Sequence, residues 1–168
     1  SGTYMVIEDE ETVPYGYLVA DEKEVKVEYA QTIDETILNN EQTGTVKVHK
    51  KTADMTNVEG IRFILSGISD TGREIRIEAT TDKDGLAKFE GVPVGTYTIT
   101  EDGSTVPYGY LVADSKQVTV AYAQTVDTDM VNEKAPDTPN TGVTDNDSDG
   151  SKALCSVAII LAGAAFFM

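Results

Sequence analysis

Residues 2–41 align without a gap on residues 95–134, and 24 of the 40 positions are identical. The longest shared block, TVPYGYLVAD, stands at 12–21 and again at 105–114. No other feature constrains the fold as much, because both copies must be built on one structural plan. Residues 44–94 have no counterpart ahead of residue 2. The expected organisation is the C-terminal half of one domain (1–41), a complete domain (44–134), a linker (135–152) and an apolar helix (153–168). The chain reads as a C-terminal piece of a longer tandem array.

The complete unit reads as strand after strand. TVKVHKK (45–51) alternates, IRFILSG (61–67) is apolar and REIRIEATT (73–81) alternates again. Asp82-Lys83-Asp84-Gly85 is a hairpin signal, followed by LAKFEGV (86–92). GTYTITE (95–101), YLVAD (110–114), QVTVAYA (117–123) and VDTDMVN (126–132) complete the set. No helical period precedes residue 153. The predicted fold class is all-β, an immunoglobulin-like or prealbumin-like β-sandwich. After Lys134, APDTPNTGVTDNDSDGS (135–151) predicts an extended, disordered linker. ALCSVAIILAGAAFFM (153–168) carries no charge and is expected to be a transmembrane helix cut short.

Charge and composition narrow the function. The chain has 13 basic and 29 acidic residues, a net charge of −16, which repels phosphate backbones and argues against nucleic-acid binding. One histidine and one cysteine argue against a thiol-rich zinc site, an internal disulfide and an ordinary Ser-His-Asp triad. The chain is therefore read as non-enzymatic, without cofactor or metal. DNDSDG (145–150) places Asp145, Asp147, Asp149 and Gly150 as in the start of a calcium loop. The twelfth position is Ser156 and not glutamate, so the segment reads as an acidic spacer. His49 is expected on an outer face without metal-spaced partners. Tyr108, Tyr110 and Tyr122 could line a carbohydrate groove, but read more naturally as core or turn residues.

Strand parity singles out three polar residues. Val46 and Val48 share a face with Lys50, whereas Lys47, His49 and Lys51 take the other. Tyr97 and Ile99 share a face with Glu101, and Val126 and Met130 with Asn132. A lysine, a glutamate and an asparagine thus each end an inward apolar row. In the first copy Glu8 aligns with Glu101 and Asn39 with Asn132. Burial drives a lysine toward its neutral amine and a carboxylic acid toward its protonated form. An amine beside a carboxamide, with an acid to polarise the carbonyl and shuttle protons, is arranged for amide exchange. The amine attacks the asparagine Cγ and ammonia leaves, joining Lys50 to Asn132 in one turnover with Glu101 as general acid and base.

Residues GTVKVHKK…IRFIL…TDKDGLAKFEGVPVGTYTITE…VPYGY…VDTDMVNEK resemble the collagen-adhesin B-type, or SpaA-pilin-like, domains of Gram-positive surface proteins. The resemblance covers 44–134 in full and 1–41 as a C-terminal half. It implies a prealbumin-like fold and an isopeptide bond from a first-strand lysine to a last-strand asparagine, assisted by a glutamate. Those positions fall on Lys50, Asn132 and Glu101.

Thr138-Pro139-Asn140-Thr141-Gly142, followed by an acidic spacer and an apolar stretch, is similar to a sortase sorting signal of LPxTG type, with threonine in the leucine position. That resemblance implies sortase and a peptidoglycan precursor as partners, cleavage between Thr141 and Gly142, and an extracellular, wall-anchored location. The leading expectation is a surface stalk module of an adhesin or pilus-type protein. The alternatives are a module that binds carbohydrate or a host protein, and the stalk of a surface enzyme whose catalytic domain lies upstream. Any host or surface ligand would be bound through upstream domains.

Overall fold

Alternating rows of valine, isoleucine, threonine and aromatic residues make strands here because each row has one apolar face to bury. The computed structural model describes residues 1–54, 56 and 58–136. The expected sorting motif at 138–142, the acidic segment 145–150 and the expected transmembrane stretch 153–168 lie outside the described residues.

Strands β1 (Gly2–Val6) and β2 (Lys23–Val27) pair antiparallel as a two-stranded sheet. The next seven are β3 (Thr43–Thr52), β4 (Arg62–Ser69), β5 (Glu74–Thr80), β6 (Leu86–Pro93), β7 (Gly95–Glu101), β8 (Lys116–Val120) and β9 (Thr125–Asn132). They form a three-stranded sheet in the order β6-β3-β9 and a four-stranded sheet in the order β5-β4-β7-β8. The strands β3 and β9 run parallel, with Lys50 opposite Met130 and Thr52 opposite Asn132. The first and last strands of the second copy are therefore neighbours. The predicted all-β, prealbumin-like sandwich is the observed fold.

Between the sheets lie Val46, Val48, Phe63, Leu65, Phe89 and Ile99, all buried. Burying side chains of this size contributes about 1.5–3 kcal/mol apiece, which offsets the chain entropy lost in ordering the strands. Tyr97 is also buried; its hydroxyl donates to the Pro93 carbonyl at 2.9 Å, and burial, foremost, pushes its pKa up to about 12.

Two local expectations need correction. Asp82–Gly85 does form a tight turn, with the Asp82 carboxylate accepting from the Asp84 and Leu86 amides, each at 2.9 Å. The flanking β5 and β6 nevertheless belong to different sheets, so the turn is a corner and not a hairpin. Gly85 sits at φ +76°, and a Cβ there would lie 2.8 Å from the Lys50 carbonyl oxygen. The corner thus closes tightly over the strand that carries Lys50. Residues 110–114 are not a strand: beyond an isolated bridge at Tyr110, their backbone groups turn to side chains and to the chain near residue 133. Short 3-10 turns also stand at Glu10–Thr12 and Gly103–Thr105, where Asp9 and Asp102 accept amides of the following turn.

Among the described residues, every buried hydrophobic side chain lies between Val46 and Met130, so the first copy adds none to the core. A two-stranded sheet without a core is marginal in water. Amides of β1 and β2 are expected to exchange with solvent far faster than those of β3, β4 and β7, as read by hydrogen-exchange mass spectrometry or NMR. Equal protection in the two sets would contradict this.

Candidate functional site

Alternation along β3 buries Val46, Val48, Lys50 and Thr52 in turn. The parallel register then sets Asn132 one step further along β9 on the same inward face as Lys50. Glu101 reaches the same place from the opposite sheet, at the end of the β7 row that begins with Tyr97 and Ile99. Lys50 and Glu101 are each 3% exposed and Asn132 is 0% exposed. The three polar residues picked out by parity thus meet in the interior, at one end of the sandwich.

The contacts are specific. Lys50 Nζ lies 3.8 Å from Glu101 Oε1, and neither side chain has exposed area (0%/0%). Asn132 Nδ2 donates to Glu101 Oε2 at 2.5 Å and to the Leu111 carbonyl at 2.7 Å. The Ala113 amide donates to the same Oε2 at 2.7 Å. Lys50 Nζ donates to the Lys51 carbonyl at 2.5 Å and to that of Met130 at 3.5 Å. Among the described residues, the buried Glu101 Oε1 and Asn132 Oδ1 have no hydrogen-bond partner. Leaving such atoms unpaired costs about 1–3 kcal/mol each, which native interiors rarely tolerate without a functional reason.

Burial pushes the Lys50 ammonium toward its neutral form, and the Glu101 carboxylate only partly opposes this. The site therefore combines an amine whose pKa burial lowers, a carboxamide held by its nitrogen, and a carboxyl group close to both. One Glu101 oxygen faces the amine while the other holds the nitrogen that would depart.

The first copy repeats half of this arrangement. Asn39 Nδ2 donates to Glu8 Oε2 at 2.6 Å and to the Leu18 carbonyl at 3.0 Å, and the Ala20 amide donates to Glu8 Oε2 at 2.8 Å. Each partner is the aligned counterpart of one in the second copy. Glu8 and Asn39 are only half-buried.

Lys47 and Lys51 point outward, as parity requires, and Lys51 pairs with Asp129 at 2.7 Å. His49 Nε2 contacts Asp127 Oδ1 at 2.8 Å on the same outer face. Tyr108 is fully exposed and Tyr122 half-exposed, so neither is a core residue. Among the described residues no group of three metal-ligating side chains comes together, and no helix is long and apolar enough to cross a membrane.

Sequence reasoning missed the cover over this end of the sandwich. The Tyr110 hydroxyl donates to Asp54 Oδ1 at 2.6 Å, Thr56 donates to the same oxygen at 2.7 Å, and Lys134 Nζ lies 3.3 Å from Asp54 Oδ2. The Tyr110 hydroxyl, followed by Thr56, holds the Asp54 carboxyl well below the usual carboxylate range. This ties the loop after β3 to the segment after β9. The only advance signal was the recurrence of Tyr17 as Tyr110, which does not reveal a partner that occurs once.

A family model described as SpaA, prealbumin-like fold domain, matches residues 44–134. Among solved structures, the Bacillus anthracis TIE protein is similar at a TM-score of 0.53 and 23% identity, over 79% of this chain and 25% of its own. The minor pilin GBS52 of Streptococcus agalactiae is similar at 0.48 and 21%, over 82% of this chain and 62% of its own. The full-length major pilin SpaD from Corynebacterium diphtheriae is similar at 0.45 and 19%, over 55% of this chain and 30% of its own. This chain thus spans a quarter of the TIE protein's length. No curated protein matches it.

Proposed function

The chain belongs to the SpaA family of prealbumin-like fold domains, and on that footing we propose that residues 44–134 form a load-bearing module of a Gram-positive surface stalk, closed by a Lys50–Asn132 isopeptide bond. The observation that carries this reading is the buried Lys50–Glu101–Asn132 cluster joining the first and last strands.

The contacts favour proton shuttling over carbonyl polarisation as the role of Glu101. The neutral Lys50 amine attacks Cγ of Asn132. Glu101 Oε1 takes the proton that the amine sheds as the new C–N bond forms. Through Oε2, Glu101 returns a proton to the asparagine nitrogen, which leaves as ammonia when its bond to Cγ breaks. Glu101 ends in the protonation state in which it began, so no other reactant is needed. The buried setting excludes water, which would otherwise compete for Cγ and solvate the amine.

Attachment follows from the second motif. In this reading Thr138, Pro139, Asn140, Thr141 and Gly142 form the sortase recognition sequence, and Thr141 is transferred to a peptidoglycan precursor. The protein is then extracellular and wall-anchored, with a structural and not a catalytic role.

Pulling single molecules by their ends tests the load-bearing claim. The bond would span β3 and β9 and shield the roughly 80 residues between them. At about 3.3–3.6 Å per extended residue, those residues would release on the order of 28 nm if free. The wild type should show no step of that length from this domain, and Lys50→Ala should show it. The same step in both proteins would refute the reading.

A further inference from the structure

Glu41 and Lys134 occupy the same position in the two copies and differ in charge. Glu41 reaches across to the turn after β4. Its Oε1 accepts from the Thr71 hydroxyl at 2.7 Å and from Arg73 Nε at 3.3 Å, and its Oε2 pairs with the Arg73 guanidinium. Ser69 and Thr71 hydroxyls lie 2.8 Å apart, and the Arg73 amide donates to Ser69 Oγ at 3.0 Å, so the turn is held in shape from below. The side chain of Glu41 is only 20% exposed. The Arg73 and Thr71 hydrogen bonds, in that order, lower the pKa of its carboxyl.

Backbone contacts continue the joint. The Gln42 amide donates to the Gly16 carbonyl at 2.7 Å, and the Val94 amide donates to the Gln42 carbonyl at 3.0 Å. The Gln42 side-chain amide donates to the Tyr17 carbonyl at 3.1 Å. Gly16 has φ +87°, and a Cβ there would stand 2.7 Å from the Thr71 methyl group. The Pro-Tyr-Gly-Tyr turn of the first copy thus rests directly on the second. In the second copy the same turn is open: a Cβ on Gly109 would meet nothing within 4 Å, and Lys134 turns to Asp54 of its own domain.

We infer that the Ser69–Arg73 turn and Val94 form a docking surface for the end of a like module, and that the residue at the exit position decides whether it engages. A glutamate there, as at Glu41, is gripped by Arg73 and Thr71. A lysine, as at Lys134, would face Arg73 as a like charge. The bidentate approach of a guanidinium to a carboxylate fixes direction as well as distance, so the contact sets the angle between modules. The importance of that angle for a stalk rests on the reading above; the contact itself does not.

Hydrogen exchange on the full chain tests the inference at the Gln42 and Val94 amides. Glu41→Lys and Arg73→Glu should each speed exchange at Gln42 by about tenfold or more, because opening the joint becomes cheaper. The double charge swap should restore most of the protection. Amides of Val48 and Ile99 should be unchanged in all three proteins, which shows that the second copy is folded. Unchanged Gln42 exchange in both single variants would overturn the inference, as would a swap as fast as the singles. Intact mass reports the Lys50–Asn132 bond separately, so failure of the joint and failure of the crosslink give different results.

Discussion

Glu101→Ala protein will unfold on the order of 20 °C below the wild type, if the bond it prevents restricts the unfolded chain as a long-loop crosslink does. Closing a loop of about 80 residues contributes roughly 4–5 kcal/mol on the chain-entropy account, and each kcal/mol moves the midpoint of a domain this size by about 4–8 °C. The variant also loses the contacts from Glu101 to the Ala113 amide and Asn132. It also leaves the buried Lys50 amine without the carboxyl group beside it. A double variant, Lys50→Met with Glu101→Gln, leaves no ionisable group at the site. It should still melt well below the wild type, since the crosslink is absent. A double variant that melts with the wild type in calorimetry would show that no bond contributes.

In cells, Thr141→Ala and Pro139→Ala are each expected to move nearly all of the protein from the wall-linked to the membrane-associated fraction. On the proposed sorting reading, Thr141 would supply the carbonyl that sortase attacks, and a proline at 139 would favour an extended substrate. Fractionation followed by immunoblotting reads the shift. An unchanged wall-linked fraction in both variants would refute the sorting role while leaving the crosslink untouched, because the two depend on separate residues.

Much of the sandwich could be read from the period-2 alternation, since it fixes the face on which each side chain lies. Lys50, Glu101 and Asn132 are inward on that ground alone, and the structure buries all three. Alternation does not say which sheet a strand joins. The turn residues Asp82 and Gly85 announce a reversal equally well for a hairpin and for a corner between sheets, so the separation of β5 from β6 was not legible. The stretch YLVAD has strand composition, yet its Ala113 amide and Leu111 carbonyl serve Glu101 and Asn132 instead of a ladder. Within the cluster, the side chains could be named in advance but the backbone partners Leu111 and Ala113 could not. Composition carries no trace of which carbonyl a carboxamide will find. The Glu41–Arg73 contact was invisible for a related reason: a surface ion pair between distant residues leaves no periodic signal.

Intact mass of the full chain bears most directly on the central claim. The account predicts a wild-type protein lighter than its sequence mass by one ammonia, with Lys50→Ala and Glu101→Ala each restored to full mass. Tandem mass spectrometry should place the bond between the peptides carrying Lys50 and Asn132. A wild-type protein at full sequence mass after prolonged incubation would contradict the account, and the three residues would then be an ordinary buried polar cluster.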